Sequence, residues 1–509
     1  MGQIEVLADP YQIEMKKLFI LLILVPNVIF AQQQETDSLN IFIAKQVKDY
    51  KVPGLAIGII KDNKVVFKSG YGVTSTLDNL PVTTQTIFPL SSCTKAFTAS
   101  AMGVLVDEGK ISWNDKVIKY LPDFKLSDPW ITKELTISDI LSHRSGLHSF
   151  DGDLLWYGTN YTKKEIVNKI QYSPIKNNFR LDFGYQNVMY LVAGLVIEAV
   201  SGKPYDEFVK EKLLKPLSMT KTSTSILEME KDKNYAQLHL KNKPIKLVNM
   251  DNIAPAGAIN SNIDEMMRWM LMWIGQGRIN DTIIMNENSF ETITTIKTLT
   301  SGTTERGYGF GWYIDYRDGE KVLHHDGGMP GYKSSIVLFP KRGDAIVILT
   351  NKISPISDQL ISVLTEYLSQ SAKMNWFQAD KNMSRKSTVY MWDKEREDVS
   401  KLKYDMPNIA IYEGAYEDKV YGKANIRNEN GKALLELLPT KELFTGNLYY
   451  LTKDKFKIIF NDGFIPEGEI IFEQGIDKKI SGFKMNIEIG DFHFEDLNFK
   501  KVVAGDSKN

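Results

Sequence analysis

Apolar and polar positions alternate in blocks that predict the elements of the chain. Leu55-Ala56-Ile57-Gly58-Ile59-Ile60 is followed by the polar stretch Lys61-Asp62-Asn63-Lys64 and then Val65-Val66-Phe67, a pattern that predicts a β-hairpin over Leu55 to Val73. Near position 92 the period changes. Phe97, Ala101, Met102, Leu105 and Val106 fall at helical spacing, and Glu108-Gly109-Lys110 supplies a stop. Residues 111–300 read as mostly helix and loop, with a clear helix over Asn187 to Val200 that ends at Ser201-Gly202. Lys333 to Phe339 and Ala345 to Leu349, separated by Pro340-Lys341-Arg342-Gly343-Asp344, predict a second hairpin, and Leu360 to Leu368 a closing helix. Strands at both ends with helices between them predict a mixed α/β fold over 38–372, an antiparallel sheet completed by the two ends of the segment, with flanking helices and a helical region alongside. Residues 373–407 are charged and poorly periodic, and read as a linker. From 408 to 501, turn signals at Asn430-Gly431 and Asn461-Asp462-Gly463 punctuate alternation such as Ile458/Phe460 and Met485/Ile487/Ile489. This predicts a small all-β barrel or sandwich, with the barrel preferred.

Composition narrows the class. With 509 residues, 43% hydrophobic and 11% aromatic, the chain can bury a large core divided among two or three domains. The formal charge of −1 gives no electrostatic case for nucleic acid or an anionic membrane. The single cysteine, Cys93, rules out an intramolecular disulfide. Within residues 1–31, Lys16-Lys17, the apolar run Leu18 to Val25 and Ile29-Phe30-Ala31 have the order of a secretory signal peptide from about Met15 to Ala31. The expected location is therefore periplasmic or secreted, with no stable membrane anchor once the signal is removed.

Three segments carry candidate chemistry. A serine followed three residues later by lysine puts both on one helical face, where the amine can help deprotonate the hydroxyl. The spacing occurs five times, starting at Ser92, Ser173, Ser218, Ser400 and Ser481. Only the Ser92 copy opens a strongly apolar helix directly after a strand-like approach, where free N–H groups and the helix dipole favour developing negative charge. Taken alone, Ser92 could equally be a helix cap. Tyr185-Gln186-Asn187 opens the next apolar helix, and ammonium groups near Tyr185 are expected to favour its phenolate. His325-Asp326-Gly327-Gly328 precedes the strand Lys333 to Phe339, where glycine lets a substrate lie along the edge and a backbone N–H can meet an acyl oxygen. Adjacent strand residues face opposite sides, so His324 and His325 are not expected to share a metal. Cys93 reads as a small buried hydrophobe and His143 as a structural loop residue.

Taken together and in this order, Ser92-Cys93-Thr94-Lys95, Tyr185-Gln186-Asn187 and His325-Asp326-Gly327 resemble the three active-site motifs of the β-lactamase and penicillin-binding-protein superfamily. Val52-Pro53-Gly54, Leu141-Ser142-His143-Arg144-Ser145-Gly146-Leu147, Pro255-Ala256-Gly257-Ala258 and Gly307-Tyr308-Gly309-Phe310-Gly311-Trp312 agree with it. The branch it resembles holds class C β-lactamases, D-Ala-D-Ala carboxypeptidases, D-aminopeptidases and related esterases. The resemblance implies Ser92 as nucleophile, Lys95 and Tyr185 as the proton-transfer pair, Asn187 as a substrate ligand, and the N–H groups of Ser92 and Gly328 as an oxyanion hole. It places His325 and Gly327 at the third motif, and it calls for no metal and no cofactor. β-Lactamases of this branch usually carry lysine where this chain has His325, so the resemblance supports a hydrolase more firmly than antibiotic hydrolysis. The tail, from Tyr412-Glu413-Gly414 through Asn430-Gly431-Lys432, resembles the lipocalin-like β module fused behind such hydrolases. The expected function is an exported serine hydrolase working through a Ser92 acyl-enzyme on D-amino-acid peptides or small esters. The alternatives are a β-lactamase, or a penicillin-recognising protein that acylates slowly and turns over little. The expected partner is a small-molecule or peptide substrate, cell-wall fragments among the candidates.

Overall fold

Asp62 and Asn63 adopt left-handed backbone angles, φ 51° and 62°, and fold strand β1 (Gly54–Lys61) back on β2 (Lys64–Gly72). Both residue types tolerate this conformation, which suits the right-handed twist of a hairpin. The computed structural model describes residues 34–300, 302–317, 319–370, 374–383, 401–402 and 408–502. The expected signal peptide and most of the expected linker lie outside them.

Six further strands complete an antiparallel sheet: β3 (Thr298–Leu299), β4 (Arg306–Tyr308), β5 (Tyr313–Arg317), β6 (Glu320–Met329), β7 (Tyr332–Phe339) and β8 (Asp344–Thr350). Their order is β2-β1-β8-β7-β6-β5-β4-β3. The first and last strands in sequence are thus neighbours, paired from Leu55↔Thr350 to Ile60↔Ala345. Alternation then sends Leu55, Ile57, Ile59, Ile346 and Ile348 to one face, against helix α1 (34–49) and α5 (Ile356–Ser369). Ala56, Ile60, Val347 and Leu349 go to the other face, over α4 (Ile263–Ile274), and join a core shared with α2 (Thr94–Asp107) and α3 (Asn187–Ser201). Phe97 of α2 stacks on Trp269 of α4 with centroids 3.7 Å apart, joining two of these helices. No helix among the described residues is long and apolar enough to cross a membrane.

Eight strands from Gly414–Asp418 to Asn498–Lys501 form a closed barrel. Asn430 and Gly431, φ 54° and 82°, make the expected turn, and closure by Tyr416↔Lys501 resolves the choice between barrel and sandwich. The barrel packs on the loop that follows His148. Tyr157 lies 4.7 Å from Phe492 between ring centroids and donates to Asp462 at 2.9 Å, and Tyr161 donates to the Tyr421 carbonyl at 2.7 Å.

Candidate active site

The approach to α2 bends sharply. Phe88–Pro89 pairs with Asn260–Ser261, Ser91 takes a left-handed φ of 46°, and the 3-10 turn Ser91–Cys93 leads into the helix at Thr94. Positive φ is unfavourable for serine and is held here by packing, with Ser91 Oγ donating to the Gly328 carbonyl at 3.0 Å. Ser92 is consequently presented on a turn rather than within the helix proper. Gly327 permits this, because a Cβ there would overlap the Leu90 carbonyl oxygen.

Lys95 lies beneath Ser92 with no exposed surface. Its Nζ donates to Ser92 Oγ at 3.1 Å, to Asn187 Oδ1 at 2.7 Å and to the Ala256 carbonyl at 3.1 Å. No carboxylate is among these partners, and burial lowers its pKa to about 7. The Tyr185 hydroxyl faces Ser92, and the Lys95 ammonium sits 4.7 Å above the ring centroid. The expectation of a phenolate is overturned. Burial, reinforced by Tyr313, pushes the Tyr185 pKa well above its ordinary value, because desolvation of the anion outweighs one nearby cation. His143 stands behind Tyr185 with ring centroids 4.3 Å apart, and its Nδ1 accepts from the Gln186 amide at 2.9 Å.

His325 is buried, and burial followed by the Lys95 charge lowers its pKa to about 3. Its Nδ1 lies 2.7 Å from the Asp326 carbonyl, which accepts only, so Nδ1 carries the hydrogen and Nε2 accepts from Tyr308 at 3.0 Å. The ring is therefore neutral with both nitrogens engaged. His324 instead approaches Asp315, at 3.5 Å, so the two imidazoles take different partners.

A cavity of about 680 Å³ opens over this group. Ser92, Tyr185, Asn187, His325, Gly327 and Gly328 all border it, with Lys95 beneath. Sequence reasoning missed Asp153, a buried acid on the cavity wall that accepts from Asn187 Nδ2 at 2.7 Å and from Trp156 Nε1 at 2.9 Å. It also missed Phe464, Asp491 and Phe492, which the barrel contributes to the same wall. An aspartate that opens a short helical turn reads in sequence as a cap, and nothing local marks a barrel loop as bordering a distant cavity.

Among the described residues, His148, Asp151 and His493 are the group of metal-type ligands whose atoms lie within 4.8 Å of one another. His493 faces two acceptors, the Ser149 carbonyl at 2.7 Å and Glu495 at 3.0 Å. Burial opposes its charge, but these acceptors raise its pKa, an arrangement suited to an imidazolium bridging the loop and the barrel.

The sequence profile of the Beta-lactamase family matches residues 39–361. The chain belongs to that family. Among its relatives, the unguisins hydrolase ungD' of Aspergillus campestris is 32% identical over 330 residues, 61% of this chain and 60% of that protein. The protein flp of Staphylococcus aureus is 25% identical over 352 residues, 66% of each chain. The chain thus spans about 60% of the length of the unguisins hydrolases it matches. The octameric penicillin-binding protein homologue from Pyrococcus abyssi shares the fold with a TM-score of 0.58 at 24% identity, over 91% of this chain and 99% of its own.

Proposed function

We propose that the protein is an exported serine hydrolase that cleaves amide or ester bonds through an acyl-enzyme on Ser92. The observation that carries this reading is the buried Lys95 amine, 3.1 Å from Ser92 Oγ, with its pKa lowered to about 7. A neutral amine there accepts the hydroxyl proton as Oγ bonds to the carbonyl carbon. Tyr185, protonated at rest, gives its proton to the departing amine or alcohol and regains one from Lys95. Water then attacks the ester carbonyl, its proton returns through the same pair, and Ser92 is freed with the acid product.

The third-motif position offers no fixed cation for a substrate carboxylate. His325 has no positive charge and no hydrogen left for a substrate carboxylate, while Trp156, Phe464 and Phe492 offer apolar surface. D-amino-acid peptides and small esters fit these walls better than ligands that require a fixed cation. Mass spectrometry after exposure to a serine-directed phosphonate should place the adduct on Ser92 and on none of the other four serines in that spacing. Ser92→Ala should abolish labelling and turnover together, and full-rate labelling of that variant would defeat the reading.

A further inference from the structure

We infer that Asp153 is a positioning residue for hydrolysis, its carboxylate holding the Asn187 amide in the one orientation that presents Oδ1 to Lys95. The inference rests on the acyl-enzyme reading and adds a residue to it. An amide has one accepting end and one donating end. Here Oδ1 takes Lys95 Nζ at 2.7 Å while Nδ2 donates to Asp153 Oδ2 at 2.7 Å. Turning the amide over would set Nδ2 against the lysine's own hydrogens and Oδ1 against the carboxylate, a mismatch at both ends. Asp153 is itself held, since its other oxygen accepts from Trp156 Nε1 at 2.9 Å.

Two features separate this from a buried acid that merely supports its loop. Asp153 borders the cavity over Ser92, and its partner Asn187 touches the proposed base directly. Both carboxyl oxygens accept and the Lys95 charge lies in the same network, so the contacts hold Asp153 as a carboxylate against the burial that raises its pKa. Lys95 is faced by Ser92 and Cys93 from its own segment, by Tyr185 and Tyr190, by His143, His325 and Asp153, while Asp491 of the barrel acts on Asp153. Burial pushes the Cys93 thiol up to about 12 and keeps both histidines neutral, so Asp153 is the acid among them that favours the ammonium.

The test is the pH dependence of phosphonate labelling of Ser92 and of kcat in the full chain. Asp153→Asn brings a donor to a site that needs two acceptors, so the Asn187 amide loses its fixed orientation. The expected loss is about 10–100-fold in kcat, the size seen when an outer-shell partner is removed, with little change in KM. The acid limb should move to lower pH, because loss of the negative charge lets Lys95 deprotonate more readily. In an Asn187→Ser background the same substitution should cost almost nothing further. Where thermal unfolding shows Asp153→Asn to be misfolded, Asp153→Ser should give the same displaced limb. An unlabelled Ser92 in the wild type would defeat the acyl-enzyme reading itself. Labelling of the wild type, with an unmoved limb in the folded Asp153 variant or fully additive losses with Asn187→Ser, would overturn the role of Asp153 alone.

Discussion

Lys95 is an amine with three hydrogen-bond acceptors around it and no carboxylate in contact, and its burial sets the chemistry of its neighbours. Its folded pKa of about 7 lies below the ordinary 10.5, so the neutral base accumulates as pH rises through 7. Labelling of Ser92 should follow the same rise, and a rate independent of pH between 5 and 9 would exclude Lys95 as the base. The unfolded chain binds this proton up to 10.5 and the folded chain only to about 7, so Lys95 contributes a stability that increases with pH across that window. Lys95→Arg keeps the charge but cannot deprotonate, and should lose activity as fully as Lys95→Ala. Tyr185→Phe should cost on the order of 10²–10⁴-fold in kcat if the phenol passes a proton. The loss in the double variant with Lys95→Ala should fall far short of the product of the two, since groups acting as a unit fail together.

At the scale of elements, the turn before α2 and the strand β6 are fitted to each other through Gly327. Gly327→Ala would force the Leu90 carbonyl and β6 apart, and with them Ser92 and the third motif. Overpacking of this kind costs about 1–3 kcal/mol, so the melting temperature should fall by several degrees, with kcat reduced in the fraction that remains folded. An unchanged rate and melting temperature would show that the strand and turn can separate without consequence.

The whole molecule differs from a catalytic domain with a passive tail, because the barrel supplies Phe464, Asp491 and Phe492 to the cavity. Phe492 also packs on Tyr157 in the loop that carries Asp153. Full burial of an aromatic side chain is worth about 1.5–3 kcal/mol, so Phe492→Ala should raise KM by roughly 10-fold for substrates with an apolar group that reaches the barrel. Labelling by a small phosphonate should change little. If KM is equal for long and short substrates in both proteins, the barrel has no part in substrate selection.

Local information carried much of this protein. The alternation over Leu55 to Phe67, the Asp62-Asn63 and Asn430-Gly431 turns and the stop at Ser201-Gly202 are legible in sequence because each depends on neighbours within a few residues. The Ser92 and Lys95 pair is legible for the same reason, three residues being close to one helical turn. Which strands would lie side by side across the sheet, and that the barrel would close, followed from pattern only in outline. Only the tertiary structure decided the protonation states of Lys95, Tyr185 and His325, since burial depends on segments far apart in the chain. It also decided the partnership of Asp153 with Asn187, the occupation of His325 by Tyr308, and the barrel's place on the cavity wall. Each of these is a contact between residues whose separation in sequence carries no periodic signal, so packing of the folded chain alone brings them together.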